Sequence, residues 1–274
     1  MTGLVSVVVP VYRPVLSEDE ELSFRRTICV LGKYPITIVC PFELDISYYE
    51  HISSEYNVVL WRESFRSLFF QGIKGYNRLL LSKAFYQRFS DYEYILICQL
   101  DAYIFRDELV QWCNLGYDYI GAPLIGNGFE TTFSSMMRVG NGGLSLRKVQ
   151  TYISFFESKK NVFSSSQIRQ RISLKKKPYA RICIWFLMLL GWHNKPMIVA
   201  ERWKSNEDIF WSNLLDFSQY ALSKPSPDIA MFFSFERFPS ELFSIIGRLP
   251  FGCHAWRKYQ FESFWQQYIK SIVR

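Results

Sequence analysis

Several common signatures are missing from this chain, and each absence narrows what it can be. Its six cysteines, Cys29, Cys40, Cys98, Cys113, Cys183 and Cys253, include no Cys-x-x-Cys pair. Cys29, Cys40 and Cys98 stand in apolar runs, so buried free thiols in a reducing compartment are expected. The longest apolar run, Ile182 to Trp192, is shorter than the about twenty residues a membrane-spanning helix needs. The N-terminal Met-Thr-Gly-Leu-Val-Ser-Val-Val-Val-Pro lacks the basic start and small-residue cleavage site of a signal peptide, and reads as a strand. A cytoplasmic, non-integral protein is therefore expected. RNA-recognition and zinc-finger patterns are both absent, so nucleic acid is not an expected partner. Histidine is scarce: His51, His193 and His254 are all there is. There is no internal repeat and no long linker.

What is present points to a globular chain with a substantial core. Aromatics make up 18% of 274 residues and charged residues 21%, a composition far from that of disorder. The net charge of +7 favours acidic partners, among them nucleotide phosphates and anionic membrane surfaces. Ser6 to Tyr12 is a β-branched run whose exit carries Pro10. Ser17 and Glu20 form a capping-box signature for a helix to Leu31. Strands are predicted over Ile36–Cys40 and Val58–Trp61, with a short helix from Asp45 to Glu55 between them. A loop over Arg62–Gly75 then leads to one helix over Tyr76–Phe89. Strands alternating with helices imply right-handed crossovers and an α/β, Rossmann-like, mostly parallel sheet in a single domain.

Tyr94 to Cys98 reads as a strand buried on both faces, and Gln99 and Asp101 interrupt it where it ends. A carboxylate there is costly to desolvate unless something binds it, and strand carboxyl ends are where ligands sit in open α/β sheets. Capping of a helix near Arg106 explains Asp101 equally well. Beyond it, Asp107–Cys113 is predicted helical, Tyr119–Pro123 a short strand, and Gly126–Arg138 a polar glycine-rich loop. Gly140-Asn141-Gly142-Gly143 implies a tight turn or close approach of backbone to a ligand, with a helix following to Phe156. It is not a phosphate-cradling loop, because the spacing and the Lys-Ser/Thr ending are missing. Lys159 to Pro196 differs in composition, carrying Lys175, Lys176 and Lys177 before Ile182–Trp192. That run reads as an internal core helix, or as an interfacial segment in which Trp185, Phe186 and Leu190 dip among anionic headgroups. Glu207 and Asp208 start a helix, where the macrodipole favours them and a catalytic base could be aimed into a cleft. Ala230–Phe235 is predicted as a strand and Tyr259–Val273 as a terminal helix.

Four motifs stand in order: Gln99-Leu100-Asp101-Ala102-Tyr103, Gly140-Asn141-Gly142-Gly143, Glu207-Asp208-Ile209-Phe210-Trp211 and Phe251-Gly252-Cys253-His254. This order resembles glycosyltransferases of the GT-A fold. It looks closest to a bacterial family known only as a domain of unknown function with glycosyltransferase character, and is more distantly similar to fringe-like, β1,3-galactosyltransferase and glycogenin-type enzymes. The resemblance implies a metal-holding Asp-x-Asp motif at Asp101, with Tyr103 in place of the second aspartate, and His254 as a late metal ligand. It implies a divalent cofactor, Mn2+ or Mg2+, against a nucleotide-sugar donor, a UDP-sugar foremost. Pro10, Val11, Tyr12, Lys83, Gln99, Asp101 and Tyr103 would contact the donor. Gly142, Gly143, Glu207 and Trp211 would form a wall between donor and acceptor, and Asp208 would be the base of an inverting reaction. The implied acceptor is a surface glycan, lipopolysaccharide or capsule, free or lipid-linked, with peripheral contact to an anionic membrane. Two alternatives stay open. One is a non-catalytic glycan-binding or scaffold protein, motivated by the lost aspartate. The other is a nucleotidyltransferase, for which Val11-Tyr12-Arg13-Pro14 poorly replaces a glycine-rich basic loop.

Overall fold

The computed structural model describes residues 3–125, 138–172 and 177–269. Four strands, β1 (Gly3–Pro10), β2 (Ile36–Pro41), β3 (Leu60–Phe65) and β4 (Tyr92–Cys98), lie parallel in the order β3-β2-β1-β4. After β5 (Ala102–Ile104) come β6 (Tyr119–Ile120), the two-stranded β7 (Pro123–Leu124) and β8 (Arg138–Val139), and β9 (Leu144–Lys148). Strand β9 runs antiparallel to β4, and β6 antiparallel to β9, completing a six-stranded, mostly parallel sheet. A second sheet joins β10 (Ser234–Phe235), β11 (Gly252–His254) and β5.

Helices cover both faces of the large sheet because its central strands are apolar on both. Along β1 the two-residue alternation sends Val7 and Val9 to one face, against α1 (Glu18–Leu31) and α2 (Ser47–Ser54). Val8 points to the other, against α3 (Gly72–Leu80), α4 (Lys83–Gln87) and, past α5 (Leu109–Asn114), α6 (Val149–Glu157). Side chains sealed this way contribute about 1.5–3 kcal/mol each. The capping box of α1 forms as its sequence predicts, with Ser17 and Glu20 bonded reciprocally.

Several elements depart from the sequence reading. The single helix over Tyr76–Phe89 is two, broken at Leu81–Ser82, where the Ser82 hydroxyl donates to the Leu79 carbonyl at 2.7 Å and caps α4. Strand β3 runs on through Arg62–Phe65 because it pairs along the whole of β2. Pro227–Phe233 is a helix with proline in its first turn, leaving only Ser234–Phe235 extended. The C-terminal segment holds a single turn at Trp265–Gln267 in place of the long terminal helix, whose last residues lie outside the described ones. Cys29 is exposed on α1, while Cys40 and Cys98 are buried as expected.

The 159–196 segment forms α7 (Ser165–Arg171) and α8 (Pro178–Leu189). Helix α8 is not the sealed core helix of one sequence reading, since none of its residues is buried. Ile184, Trp185, Met188 and Leu189 pack inward, while Tyr179, Ile182, Phe186 and Leu190 form an exposed stripe on helical spacing. Trp185 is thus turned inward and donates to the Ser165 carbonyl. Lys175, Lys176 and nearly all of the 126–138 loop lie outside the described residues. No helix among those described is long and apolar enough to cross a membrane.

Candidate active site

Strand β1 has β2 on one side and β4 on the other, so the crossovers leave it in opposite directions and a crevice opens at the strands' carboxyl ends. A cavity of 460 Å³ lies there. Pro10, Tyr12, Gln99, Leu100 and Asp101 line it from the strand ends, and Gly72, Ile73 and Tyr76 from α3. Its charged lining residues among those described are Glu20, which pairs with Arg13 at 3.3 Å, and Asp101.

The second sheet brings His254 to Asp101. Strand β11 runs antiparallel to β5 with His254 opposite Ala102 and Cys253 opposite Tyr103. His254 Nε2 therefore lies 3.1 Å from Asp101 Oδ1 and 3.2 Å from Gln99 Oε1. Its Nδ1 faces Glu236 Oε1 at 3.5 Å. Burial alone would lower the imidazole, but the Asp101 and Glu236 carboxylates outweigh it and raise it to about 10. Burial likewise works to raise Asp101, and His254 reverses this, holding that carboxyl below its ordinary value. With no metal bound, the two carboxylates favour the protonated ring between them.

Gly142 and Gly143 connect this pair to the second acidic motif. A Cβ on Gly143 would sit 2.0 Å from His254 Nε2, and one on Gly142 would sit 2.3 Å from Glu207 Oε1 and 3.5 Å from Asp208 Cβ. Both positions need glycine because the protein's own side chains occupy that space, where the sequence reading expected a tight turn or a ligand.

Glu207 and Asp208 are neighbours with different surroundings. Glu207 is buried and held by both terminal nitrogens of Arg147, at 2.7 and 3.0 Å. Arg147 also donates to the Tyr86 hydroxyl and to Ser145 Oγ, each at 3.0 Å, and Ser145 donates in turn to the Gly142 carbonyl. Burial would lower Arg147, but the Glu207 carboxylate keeps the guanidinium charged. Asp208 is half-buried. Burial pushes its carboxyl above the ordinary range, against hydrogen bonds from the Ile209 and Gly142 backbone. That shift suits a group that must accept a proton near neutrality.

Four residues expected at the site lie elsewhere. Val11 is core, its N–H bonded to the Val39 carbonyl. Tyr103 packs in the core of the second sheet beneath Arg26, since its place on β5 turns it inward. Trp211 is fully buried against Tyr152, Phe155 and Phe210, so it is not part of a wall. Lys83 starts α4 and pairs with Glu157 at 3.1 Å, outside the cavity lining. Sequence reasoning missed Glu236, Arg147 and Tyr76. Glu236 had a signal, being a carboxylate just past a strand end like Asp101.

Residues 60–254 match a family model described as a protein of unknown function, DUF5672. The chain belongs to the DUF5672 family. The matched span of this member starts in β3 and ends at His254, so it holds Asp101, Gly142, Gly143, Asp208 and His254. No protein of curated function matches it in sequence. Among solved structures it is similar to the apo form of the glycosyltransferase GlyE of Streptococcus pneumoniae TIGR4. There identity is 12% and the TM-score 0.47, over 92% of this chain and 54% of that one. The chain thus spans about half the length of GlyE. It is also similar to the galactosyltransferase LgtC with donor and acceptor sugar analogues, at 9% identity and TM-score 0.47, over 91% and 86% of the two chains. Core-mannan synthase A of Aspergillus fumigatus in its Mn/GDP form matches at 10% identity and TM-score 0.46, over 78% and 69%.

Proposed function

We propose that this chain is an inverting, nucleotide-sugar-dependent glycosyltransferase of surface polysaccharide, lipopolysaccharide or capsule. One observation supports this most. The Gly142–Gly143 step has His254, paired with Asp101, against one glycine and Glu207 with Asp208 against the other, and Asp101 also lines the strand-end cavity. A UDP-sugar would place its nucleoside against Tyr12 and Ile73 and its diphosphate toward Asp101.

The lining sets a condition on that binding. Glu20 is paired with Arg13 at 3.3 Å and Asp101 with His254 at 3.1 Å, so little positive charge is left over for a diphosphate and a divalent cation beside Asp101 would supply it. A carboxylate oxygen and an imidazole nitrogen 3.1 Å apart become a donor set suited to Mn2+ or Mg2+ once the ring gives up its Nε2 proton to the arriving ion. The described residues contain no group of three metal-ligating side chains, so diphosphate and water must supply the other ligands. Asp101 and His254 would hold the ion, whose charge would stabilise the departing diphosphate.

Asp208 performs the remaining chemistry. The acceptor hydroxyl gives its proton to the Asp208 carboxylate as its oxygen bonds the anomeric carbon. The bond from that carbon to the diphosphate oxygen breaks, and its electron pair leaves with the diphosphate. The Arg147–Glu207 pair, packed against Gly142 and including the residue just before Asp208, keeps the base in place. A lipid-borne acceptor is favoured by the exposed stripe of α8 with Lys177 and Arg181 beside it, an arrangement suited to an anionic membrane surface. Anionic vesicles should carry the protein into the pellet at low salt and release it at high salt, and Phe186→Asp should weaken the association. Recovery in the supernatant at low salt removes the membrane from this reading.

A hydrolysis panel of nucleotide sugars with and without manganese tests the enzyme itself. Turnover of one donor, stimulated by manganese, is expected. Absence of turnover with every donor, while a glycan still binds, favours the non-catalytic reading that Tyr103 in place of an aspartate suggests.

A further inference from the structure

Helix α3 separates two cavities of opposite character. Its Gly72, Ile73 and Tyr76 face the acidic strand-end cavity, whereas Lys74, Asn77, Arg78 and Leu81 face a second one of 370 Å³. That division follows helical spacing, since at about 100° per residue Gly72, Ile73 and Tyr76 fall in one sector and Lys74, Asn77 and Arg78 in the next. The opposite wall comes from the segment leading to the Glu207 helix, with Trp203, Lys204 and Ser205. Three cations thus line one cavity, and no carboxylate among the described residues pairs with any of them. Trp203 is fixed there, its indole N–H bonded to the Asn206 carbonyl at 2.8 Å and its ring against Phe210.

The geometry points to a binding site for a phosphate ester carried on a sugar, distinct from the donor cavity. An arginine fork and two lysines match the doubly charged phosphate, the Asn77 and Ser205 side chains add donors, and the Trp203 ring offers an apolar surface to a hexose. The site is also coupled to the proposed base. Asn77, in its wall, accepts a hydrogen bond from the Glu207 N–H at 3.2 Å, one residue before Asp208. Its assignment as the acceptor site, which makes the acceptor a phosphorylated glycan, rests on the transferase reading. The anion site itself does not.

The test uses the full chain and glucose 1-phosphate, with inorganic phosphate and glucose as controls, followed by calorimetry and by NMR of the tryptophan indole signals. Glucose 1-phosphate should bind saturably, more tightly than inorganic phosphate, and shift the Trp203 signal. Saturating UDP with manganese should leave this binding in place. Arg78→Gln with Lys204→Gln, both exposed substitutions, should weaken it by about tenfold or more. Displacement by UDP, equal affinity for inorganic phosphate, or undiminished binding in the double variant each overturns the proposal. Failure of the transferase reading shows separately, as no UDP–manganese binding in the Asp101 cavity, and leaves the glucose 1-phosphate result standing.

Discussion

Two charged clusters flank the Gly142–Gly143 step, and their ion pairs are of similar length: 2.7 Å for Arg147–Glu207 and 3.1 Å for His254–Asp101. Their surroundings differ. The side chains of Arg147 and Glu207 are 0% and 4% exposed, while that of Asp101 is 53% exposed at the cavity. In the sealed cluster, guanidinium, carboxylate, Tyr86 and Ser145 use their hydrogen bonds on one another. In the open one, a carboxylate keeps lone pairs free for a ligand. Distance alone therefore does not separate an ion pair that supports a site from one that serves it; access to the cavity does.

Breaking the sealed cluster should have the largest effect. Arg147→Ala leaves Glu207 buried without its partner, and a loss of about 3–5 kcal/mol is expected, read as a shift of the urea midpoint. Arg147→Met with Glu207→Leu should regain most of it, because the uncompensated charge is gone. A single variant within about 1 kcal/mol of the native chain would contradict the supporting role.

Asp208→Asn comes next, with transfer falling about a hundredfold, or about 2.7 kcal/mol in the barrier, while donor affinity and urea midpoint stay put. Equal rates in the two proteins would make Asp208 a helix-start residue only. Gly143→Ala acts on the open cluster by driving a methyl into His254. Calorimetry should show manganese binding in the presence of UDP weakened about tenfold, and Asp101→Ala should do the same. Unaltered manganese binding in both variants would remove the metal from Asp101 and His254. The smallest effect belongs to Lys83→Ala. Its ion pair with Glu157 is partly exposed, so stability should change by about 0.5 kcal/mol or less and donor affinity not at all. A loss of donor affinity would restore the role the resemblance implied.

The sequence by itself determined the elements whose information is local: the β-branched run of β1, the Ser17–Glu20 cap, and the carboxylate just past the end of β4. It also marked Gly142 and Gly143 as a tight turn or an approach to a ligand, whereas the structure has Glu207 and His254 against them. Only the tertiary structure decided which of Glu207 and Asp208 is sealed and which is not. The two are adjacent, and successive side chains on a helix point about 100° apart, so the choice depends on what packs alongside, here Arg147 from β9. The same holds for Tyr103 and Trp211, apolar enough for either wall or core, and for α8, which is apolar all round yet has a partner on one side only. His254 meets Asp101 because β11 pairs with β5 across some 150 residues of chain, a register that no local pattern encodes.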